Sequence, residues 1–255
     1  MDKLKIGNNE LSNRLLLGTG KFASNNTIID TIAASETEII TVAVRRVDLN
    51  NAEDSFLKLV NPEKIIFMPN TSGARNAEDA VRCATIARVA AKTDFIKLEV
   101  TPDQNHLMPD PIETLKAAEI LVKKGFTVLP YIHADPILAK RCEDVGCAAV
   151  MPLGAPIGTN LGLETDLFVQ IIIDQAKVPV IVDAGIGAPS QACRAMEMGA
   201  SAVLVNTAIA TARNPVKMAI AFKEAVKTGR DAYLAGLATA KKTSEASSPL
   251  TGFLN

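Results

Sequence analysis

Short apolar runs alternate with amphipathic helical patterns along the whole of this 255-residue chain. The runs are continuously apolar, which is typical of strands in a parallel sheet that helices cover. We predict strands at Leu15–Gly18, Ile39–Val44, Ile65–Met68, Phe95–Val100, Thr127–Tyr131, Ala148–Leu153, Val180–Asp183 and Ala202–Val205. Eight strand–helix units in about 250 residues match a (β/α)8 barrel, so the sequence predicts an α/β fold that is a single TIM-type barrel.

The predicted helices have recognisable boundaries. We place them at Ala77–Ala91, Ile112–Lys124, Pro136–Val145, Pro189–Met198 and Pro215–Lys227. Three of these helices begin at a capping residue followed by proline, which suits the first helical turn: Asp110-Pro111, Asp135-Pro136 and Asn214-Pro215. Three helical patterns end at a glycine that suits a C-terminal cap: Gly125, Gly146 and Gly199.

A doubly wound open sheet is the alternative fold for this order of elements. Its dinucleotide-binding fingerprint, G-x-G-x-x-G after the first strand, is absent because Gly18-Thr19-Gly20 is followed by Lys21-Phe22-Ala23. No linker or change in composition divides the chain, so we predict one barrel domain at residues 1–242. The small and polar residues 243–255 are predicted to form a flexible tail, either disordered or folded as a flap.

The composition argues against several classes of function. A formal net charge of −1 gives no electrostatic footprint for nucleic acid or an anionic membrane, and there is no Trp to stack on bases. No apolar run of about 18 residues lacks a charge, so we predict no membrane span. With two histidines and no C-x-x-C pair among the four cysteines at 83, 142, 147 and 193, we predict no metal site. The scattered cysteines and a start without a secretory leader indicate a reducing cytoplasm.

The predicted strand Phe95–Val100 places Lys97 and Glu99 on one face of an otherwise apolar run, because side chains alternate across a strand. Ionisable groups are rarely buried unless they are paired or used. A lysine amine condenses with a ketone or aldehyde to an imine, so Lys97 is a candidate nucleophile and Glu99 a candidate general base. Burial lowers the pKa of such an amine and a carboxylate raises it, and the sequence does not decide between them. A structural ion pair, or an edge strand whose lysine reaches water, is the alternative.

Polar residues and glycines collect at the carboxyl ends of the predicted strands, where barrel enzymes carry their chemistry. Asp183 ends an apolar strand and is a second candidate acid or base, or else caps its own turn. After the last two strands, Gly185, Gly187 and Asn206-Thr207 predict a phosphate site, because glycines let an anion approach the backbone and a helix can begin at Asn206. Tight turns alone are the alternative explanation of these glycines.

Two further features at predicted strand ends are expected to have ordinary structural roles. His133 precedes a turn and is expected to hydrogen-bond within its loop, with a catalytic role as the alternative. The pair Arg45-Arg46 is expected to form surface ion pairs, with binding of a substrate anion or a partner as the alternative.

Taken together, the residues resemble the thiazole synthase family of bacterial thiamin biosynthesis. The matching segments run through nearly the whole chain: Thr41–Val47, Met68–Gly73, Phe95–Val100, Val128–Tyr131, Gly146–Gly154, Pro156–Gly158, Val182–Gly187 and Val205–Ala210. The resemblance implies a (β/α)8 enzyme that condenses 1-deoxy-D-xylulose 5-phosphate, dehydroglycine, and sulfur from a thiocarboxylated sulfur-carrier protein. It also implies a homo-oligomer without a metal or redox cofactor, supplied by a dehydroglycine-producing enzyme.

The resemblance also implies roles for particular residues. Lys97 would form the imine with the ketose, and Glu99 and Asp183 would move protons. The residues that would contact the sugar phosphate are Gly158, Ala184, Gly185, Asn206 and Thr207, which overlap the phosphate site predicted above. Two alternatives remain at this stage: a lysine-imine aldolase or isomerase acting on another sugar phosphate, and a barrel that senses a sugar phosphate without catalysis.

Overall fold

The computed structural model describes residues 2–43, 60–61 and 64–247. Its strands are β1 (Leu4–Ile6), β2 (Asn9–Leu11), β3 (Leu15–Gly18), β4 (Ile39–Ala43), β5 (Ile66–Asn70), β6 (Phe95–Leu98), β7 (Thr127–Ile132), β8 (Met151–Pro152), β9 (Ile181–Asp183) and β10 (Ala202–Val205). Its helices are α1 (Asn25–Ser35), α2 (Ala77–Ala91), α3 (Pro111–Lys123), α4 (Pro136–Asp144), α5 (Asp166–Gln175), α6 (Pro189–Glu197), α7 (Thr207–Ala210) and α8 (Pro215–Ala235). The Arg45-Arg46 pair lies outside the described residues.

Eight of the strands form one parallel sheet in the order β8-β7-β6-β5-β4-β3-β10-β9. Parallel bridges from Val150 to Val180 and from Leu153 to Asp183 join the two outer strands of this order. These bridges close the sheet, and the predicted (β/α)8 barrel is confirmed. None of the helices in the described part of the chain is long and apolar enough to cross a membrane.

The strands divide their side chains between the barrel interior and the surrounding helices. Phe95 on β6 and Ile181 on β9 belong to the interior cluster, whereas Ile96 and Val182, the next residue on each strand, pack toward the helices. Because side chains alternate, Lys97 and Asp183 also face the interior, one layer nearer the carboxyl ends of the strands. The predicted face alternation of β6 therefore positions the site.

A hairpin of β1 and β2 precedes the barrel and was not predicted. Its side chains Leu4, Ile6 and Leu11 are buried in the interior cluster together with residues of the barrel strands. Because these contacts lie in the layer of the interior below Lys97, the hairpin closes the amino-terminal end of the barrel.

The predicted helix caps are present. The side chains of Asp110 and Asp135 each accept two backbone N–H bonds at the starts of α3 and α4. Helix α8, however, continues past the predicted end at Lys227 as far as Ala235, with Gly229 inside it. A Cβ at Gly229 would lie 2.3 Å from the carbonyl oxygen of Cys193, so the glycine lets α8 approach α6 closely. The division into a barrel at 1–242 and a tail at 243–255 stays a prediction.

Candidate active site

A cavity of about 180 Å³ opens at the carboxyl ends of the barrel strands. Its lining includes eight of the nine predicted site residues: Lys97, Glu99, Gly158, Asp183, Ala184, Gly185, Asn206 and Thr207. Thr41, Asn70, Ser72 and Thr101 add polar side chains to the wall. Within the described residues, no group of three or more His, Cys, Asp or Glu side chains is arranged to hold a metal ion.

Lys97, Glu99 and Asp183 form one buried charged cluster. Nζ of Lys97 lies 2.6 Å from Oδ2 of Asp183 and 3.1 Å from Oε1 of Glu99. The three residues are only 5%, 5% and 2% exposed, respectively. Strand β6 lies between β5 and β7, so the edge-strand alternative is wrong. The ion pair exists, and because the cavity reaches it, a ligand can reach Lys97.

The cluster settles the direction of the lysine pKa. Burial alone would lower the pKa of the Lys97 ammonium, but Asp183 and Glu99 outweigh burial and raise that pKa above its ordinary value. The resting side chain is therefore an ammonium ion paired with carboxylates, and the amine becomes free only when a neighbouring group accepts its proton.

Thr71, in the loop after β5, fixes the backbone beside the cluster. Its hydroxyl donates to the carbonyl of Glu99 (2.7 Å) and accepts from the N–H of Glu99 (2.8 Å), while its own N–H donates to the carbonyl of Lys97 (3.1 Å). Thr71 is 1% exposed. This role of Thr71 could not be predicted from the sequence, because the contacts depend on the pairing of β5 with β6.

Tyr131 is a second residue whose contact with the charged cluster could not be predicted from the sequence. It is fully buried on β7, two residues beyond the interior residue Leu129, and its ring centroid lies 5.6 Å from Nζ of Lys97. Burial raises the pKa of the phenol, and the charges of Asp183 and Glu99 raise it further. Among the described residues its hydroxyl has no hydrogen-bond partner, so a neutral phenol stands next to the charged cluster.

The loop after β9 approaches the cavity with an unusual backbone. Ala184 and Gly185 have successive positive φ angles of 60° and 79°. A Cβ at Gly185 would lie 2.4 Å from the backbone nitrogen of Ala155, so only glycine fits there. The N–H of Gly162 donates to the carbonyl of Gly185 (2.8 Å), which ties the loops after β8 and β9 together.

Asn206 braces the loop after β3. We orient its amide so that the nitrogen donates to the carbonyls of Gly18 (3.1 Å) and Gly20 (2.9 Å), because the opposite orientation would place an oxygen against both. Helix α7 begins directly after it, as predicted. The Asn206 side chain is thus engaged within the protein, which leaves its backbone to face a ligand.

Two residues considered from the sequence lie apart from the cavity. Gly187 is absent from the cavity lining; its N–H donates to Oε1 of Gln191 (2.7 Å), and a Cβ there would lie 2.5 Å from the carbonyl oxygen of Asn160. Close packing of two loops therefore explains this glycine. His133 is also absent from the lining, and its carbonyl accepts from the N–H of Asp135 (2.7 Å) in the turn before α4.

The closed barrel and the charged cavity at its catalytic end define a (β/α)8-barrel enzyme. Residues 5–249 match the family model described as Thiazole biosynthesis protein ThiG, and the chain belongs to this family of thiamin biosynthesis. It is 60% identical over 255 residues to thiazole synthase of Syntrophobacter fumaroxidans, covering 100% of both chains. It is 58% identical over 249 residues to thiazole synthase of Shewanella denitrificans, covering 98% of this chain and 94% of that relative.

A solved structure gives the same result for the fold. The crystal structure of the Amycolatopsis orientalis BexX/CysO complex contains a chain that matches with a TM-score of 0.84 and 31% sequence identity. The match covers 94% of this chain and 98% of that one.

Proposed function

We propose that this chain forms the thiazole phosphate of thiamin by binding 1-deoxy-D-xylulose 5-phosphate as an imine on Lys97. The observation that carries the proposal is the position of Nζ, which is buried between two carboxylates and yet accessible from a cavity walled by glycine-rich loops. An amine in this position is held close to the ketone of a ketose bound in the cavity, which favours their reaction.

The first step requires a free amine. The raised pKa of Lys97 means that the ammonium must first give up a proton, and Oδ2 of Asp183 at 2.6 Å is the nearest acceptor. The amine nitrogen then bonds to C2 of the ketose, and the carbonyl oxygen leaves as water after it has accepted protons. The product is an iminium ion, whose positive charge takes the place of the ammonium between the same carboxylates, so the site is preorganised for it.

Proton transfer on the sugar carbon would follow. The iminium ion acidifies the C3–H bond, and removal of that proton by Glu99 or Asp183 gives an enamine. Protonation of this enamine at C2, with loss of the proton of the C3 hydroxyl, moves the carbonyl group from C2 to C3. The thiocarboxylate sulfur then bonds to the new carbonyl carbon as its bond to the carrier breaks, the carbonyl oxygen leaves on the carrier as its carboxylate, and the sugar loses water. Addition of dehydroglycine and ring closure, in which the C2–Nζ bond breaks and Lys97 leaves as the free amine, complete the thiazole phosphate carboxylate.

The sugar phosphate would be held by the three loops that face Lys97 across the cavity. Gly158, Ala184, Gly185, Asn206 and Thr207 all line it. The left-handed conformations of Gly158, Ala184 and Gly185 support this role, because they turn backbone groups toward the opening without side chains in the way.

The remaining parts of the proposal concern partners. A thiocarboxylated sulfur-carrier protein would deliver sulfur at the open end of the barrel, and the complex of the similar barrel BexX with CysO supports a protein partner for this fold. A homo-oligomer, a dehydroglycine-producing enzyme and a cytoplasmic location belong to the same proposal. No metal or redox cofactor is assigned a step in it.

Borohydride trapping tests the proposal. Reduction in the presence of 1-deoxy-D-xylulose 5-phosphate should add the sugar to the peptide that contains Lys97, as shown by peptide mass mapping. Lys97→Ala should abolish the adduct, while Lys123→Ala, at an exposed lysine on α3, should retain it. An adduct on another lysine, or none, would contradict the proposal. Consumption of the ketose without the thiocarboxylated carrier would instead support an aldolase or isomerase.

A further inference from the structure

Lys21 reaches the loops that surround the proposed phosphate site, although it comes from the loop after β3. A Cβ built on Gly158 would lie 3.1 Å from Nζ of Lys21 and 3.9 Å from Oγ1 of Thr207. The ammonium and the hydroxyl therefore lie close to the same point, between the loops after β8 and β10. The lysine side chain is exposed, and its neighbours Gly158 and Thr207 line the cavity, although Lys21 itself does not.

The backbone of Lys21 is held in a conformation that its residue type disfavours. Its φ angle is 66°, in the left-handed region that residues with a Cβ seldom adopt. Asn206 fixes the preceding carbonyls of Gly18 and Gly20, and the hydroxyl of Thr19 donates to the carbonyl of Thr41 (2.8 Å). The loop is therefore anchored on both sides of the barrel mouth, and the strained residue is the one that aims its amine at the phosphate loops.

The charges that line the cavity do not by themselves attract a phosphate, and Lys21 supplies a positive charge beside it. Among the described residues that line the cavity, Lys97 is the sole lysine or arginine, and it is paired with two carboxylates. This cluster carries a formal net charge of −1 and does not attract a phosphate. No Asp or Glu oxygen in the described part of the chain lies within 4 Å of Nζ of Lys21, so its positive charge is not already paired there.

We propose that Lys21 binds the phosphate group of the ketose and thereby selects phosphorylated over unphosphorylated sugars. This inference rests on the proposed function, whose phosphate site it completes with a cation. A charge-assisted hydrogen bond from the ammonium to a phosphate oxygen would add to the backbone and hydroxyl contacts of the three loops. Lys97 would then capture the ketone at the far end of a sugar whose phosphate is already fixed.

Trapping with two sugars tests this inference. For Lys21→Met we expect the concentration of 1-deoxy-D-xylulose 5-phosphate that half-saturates borohydride trapping to rise about 10- to 100-fold, the range of one charged hydrogen bond. The trapping rate at saturation should change less than threefold, and trapping of unphosphorylated 1-deoxy-D-xylulose should not change. Lys21→Arg, which keeps the charge, should lie between wild type and Lys21→Met.

Lys92→Met is a matched control. Lys92 is also an exposed lysine with a positive φ angle (50°), but it caps the carboxyl end of α2, at the opposite end of the barrel. It should behave as wild type with both sugars. An equal rise for Lys92→Met and Lys21→Met would show a nonspecific effect of surface charge and overturn the inference.

The outcomes separate this inference from the proposed function. If Lys21→Met saturates as wild type does while Lys97→Ala forms no adduct, Lys21 does not bind the phosphate and the imine chemistry stands. If wild type forms no adduct, the proposed function fails. Titration calorimetry with inorganic phosphate then tests whether Lys21 binds a phosphate group. Binding by wild type and Lys92→Met but not by Lys21→Met would support it, and equal binding or none would overturn it.

Discussion

Nζ of Lys97 lies 2.6 Å from Oδ2 of Asp183, although the two residues belong to strands that are not neighbours in the barrel. Each follows an interior residue by two positions, Phe95 on β6 and Ile181 on β9. Closure of the sheet by the bridge from Leu153 to Asp183 brings them together above the apolar interior. The ion pair is therefore a consequence of barrel closure, and its chemistry depends on that geometry.

Asp183→Asn should separate imine formation from turnover. Removal of this charge removes the largest influence that raises the pKa of Lys97, so the pH at which trapping reaches half its maximum should move to lower values. Turnover should fall by about 10²- to 10⁴-fold, the usual contribution of a general acid or base. Trapping rates across pH and thiazole formation measure the two effects, and Asp183→Glu, which keeps the charge, should retain the pH profile more closely. Unchanged turnover would remove Asp183 from the mechanism.

Thr71→Val should disturb catalysis through the position of Glu99. Valine has nearly the same shape but neither donates to the carbonyl nor accepts from the N–H of Glu99, so both contacts are lost in a buried place. We expect a loss of about 1–3 kcal/mol in the free energy of unfolding. The turnover number should fall while the KM for the ketose phosphate changes little, because the phosphate loops are untouched. Thr71→Ser, which keeps the hydroxyl, should recover turnover; if it does not, Thr71 does not act through this hydroxyl.

Much of this site was predictable because it depends on the alternation of side chains along a strand and on the positions where strands end. Lys97 and Glu99 follow from the alternation of side chains on one apolar run, and Asp183 from its place at the end of another. The contact of Lys97 with Asp183 was not predictable, since no local pattern gives the register between distant strands. The same holds for Thr71 and for the amide of Asn206, whose partners lie on other loops.

In the fold, too, features set by local sequence were predictable and contacts between distant elements were not. Helix starts were predictable from local chemistry, since Asp110 and Asp135 cap the backbone immediately after them. The end of α8 was predicted too early, and the close contact of its Gly229 with α6 could not be predicted from the sequence of α8 alone. The β1–β2 hairpin was missed, although apolar Leu4 and Ile6 alternate with polar residues before a Gly7-Asn8 turn.

The raised pKa of Lys97 fixes how its contribution to stability should depend on pH. A group whose pKa is raised in the folded state contributes stability that is complete below its ordinary pKa, about 10.4 for lysine, and is lost as the pH rises through the folded-state value. The pKa of Lys97 is raised, so its contribution should be constant from about pH 7 to 10 and decline only above.

Urea unfolding of wild type and of a neutral variant, Lys97→Met with Glu99→Gln and Asp183→Asn, measures this contribution as a difference in the free energy of unfolding. A difference that falls between about pH 7 and 9 would mean that the lysine deprotonates there, contrary to the direction found for its pKa.

Lys21→Gly should stabilise the protein and at the same time lower its affinity for the ketose phosphate. Glycine adopts the φ angle of 66° without the steric cost that a Cβ brings, so relief of the backbone should raise the free energy of unfolding by about 1 kcal/mol. Lys92→Gly, at φ 50°, should gain a similar amount because the same cost is relieved. Only Lys21→Gly should also raise the half-saturating concentration of the ketose phosphate, since only its amine lies beside Gly158 and Thr207. Urea unfolding and borohydride trapping on the two variants check both effects, and a loss of stability in Lys21→Gly would show that its side chain supports the loop instead of being held strained by it.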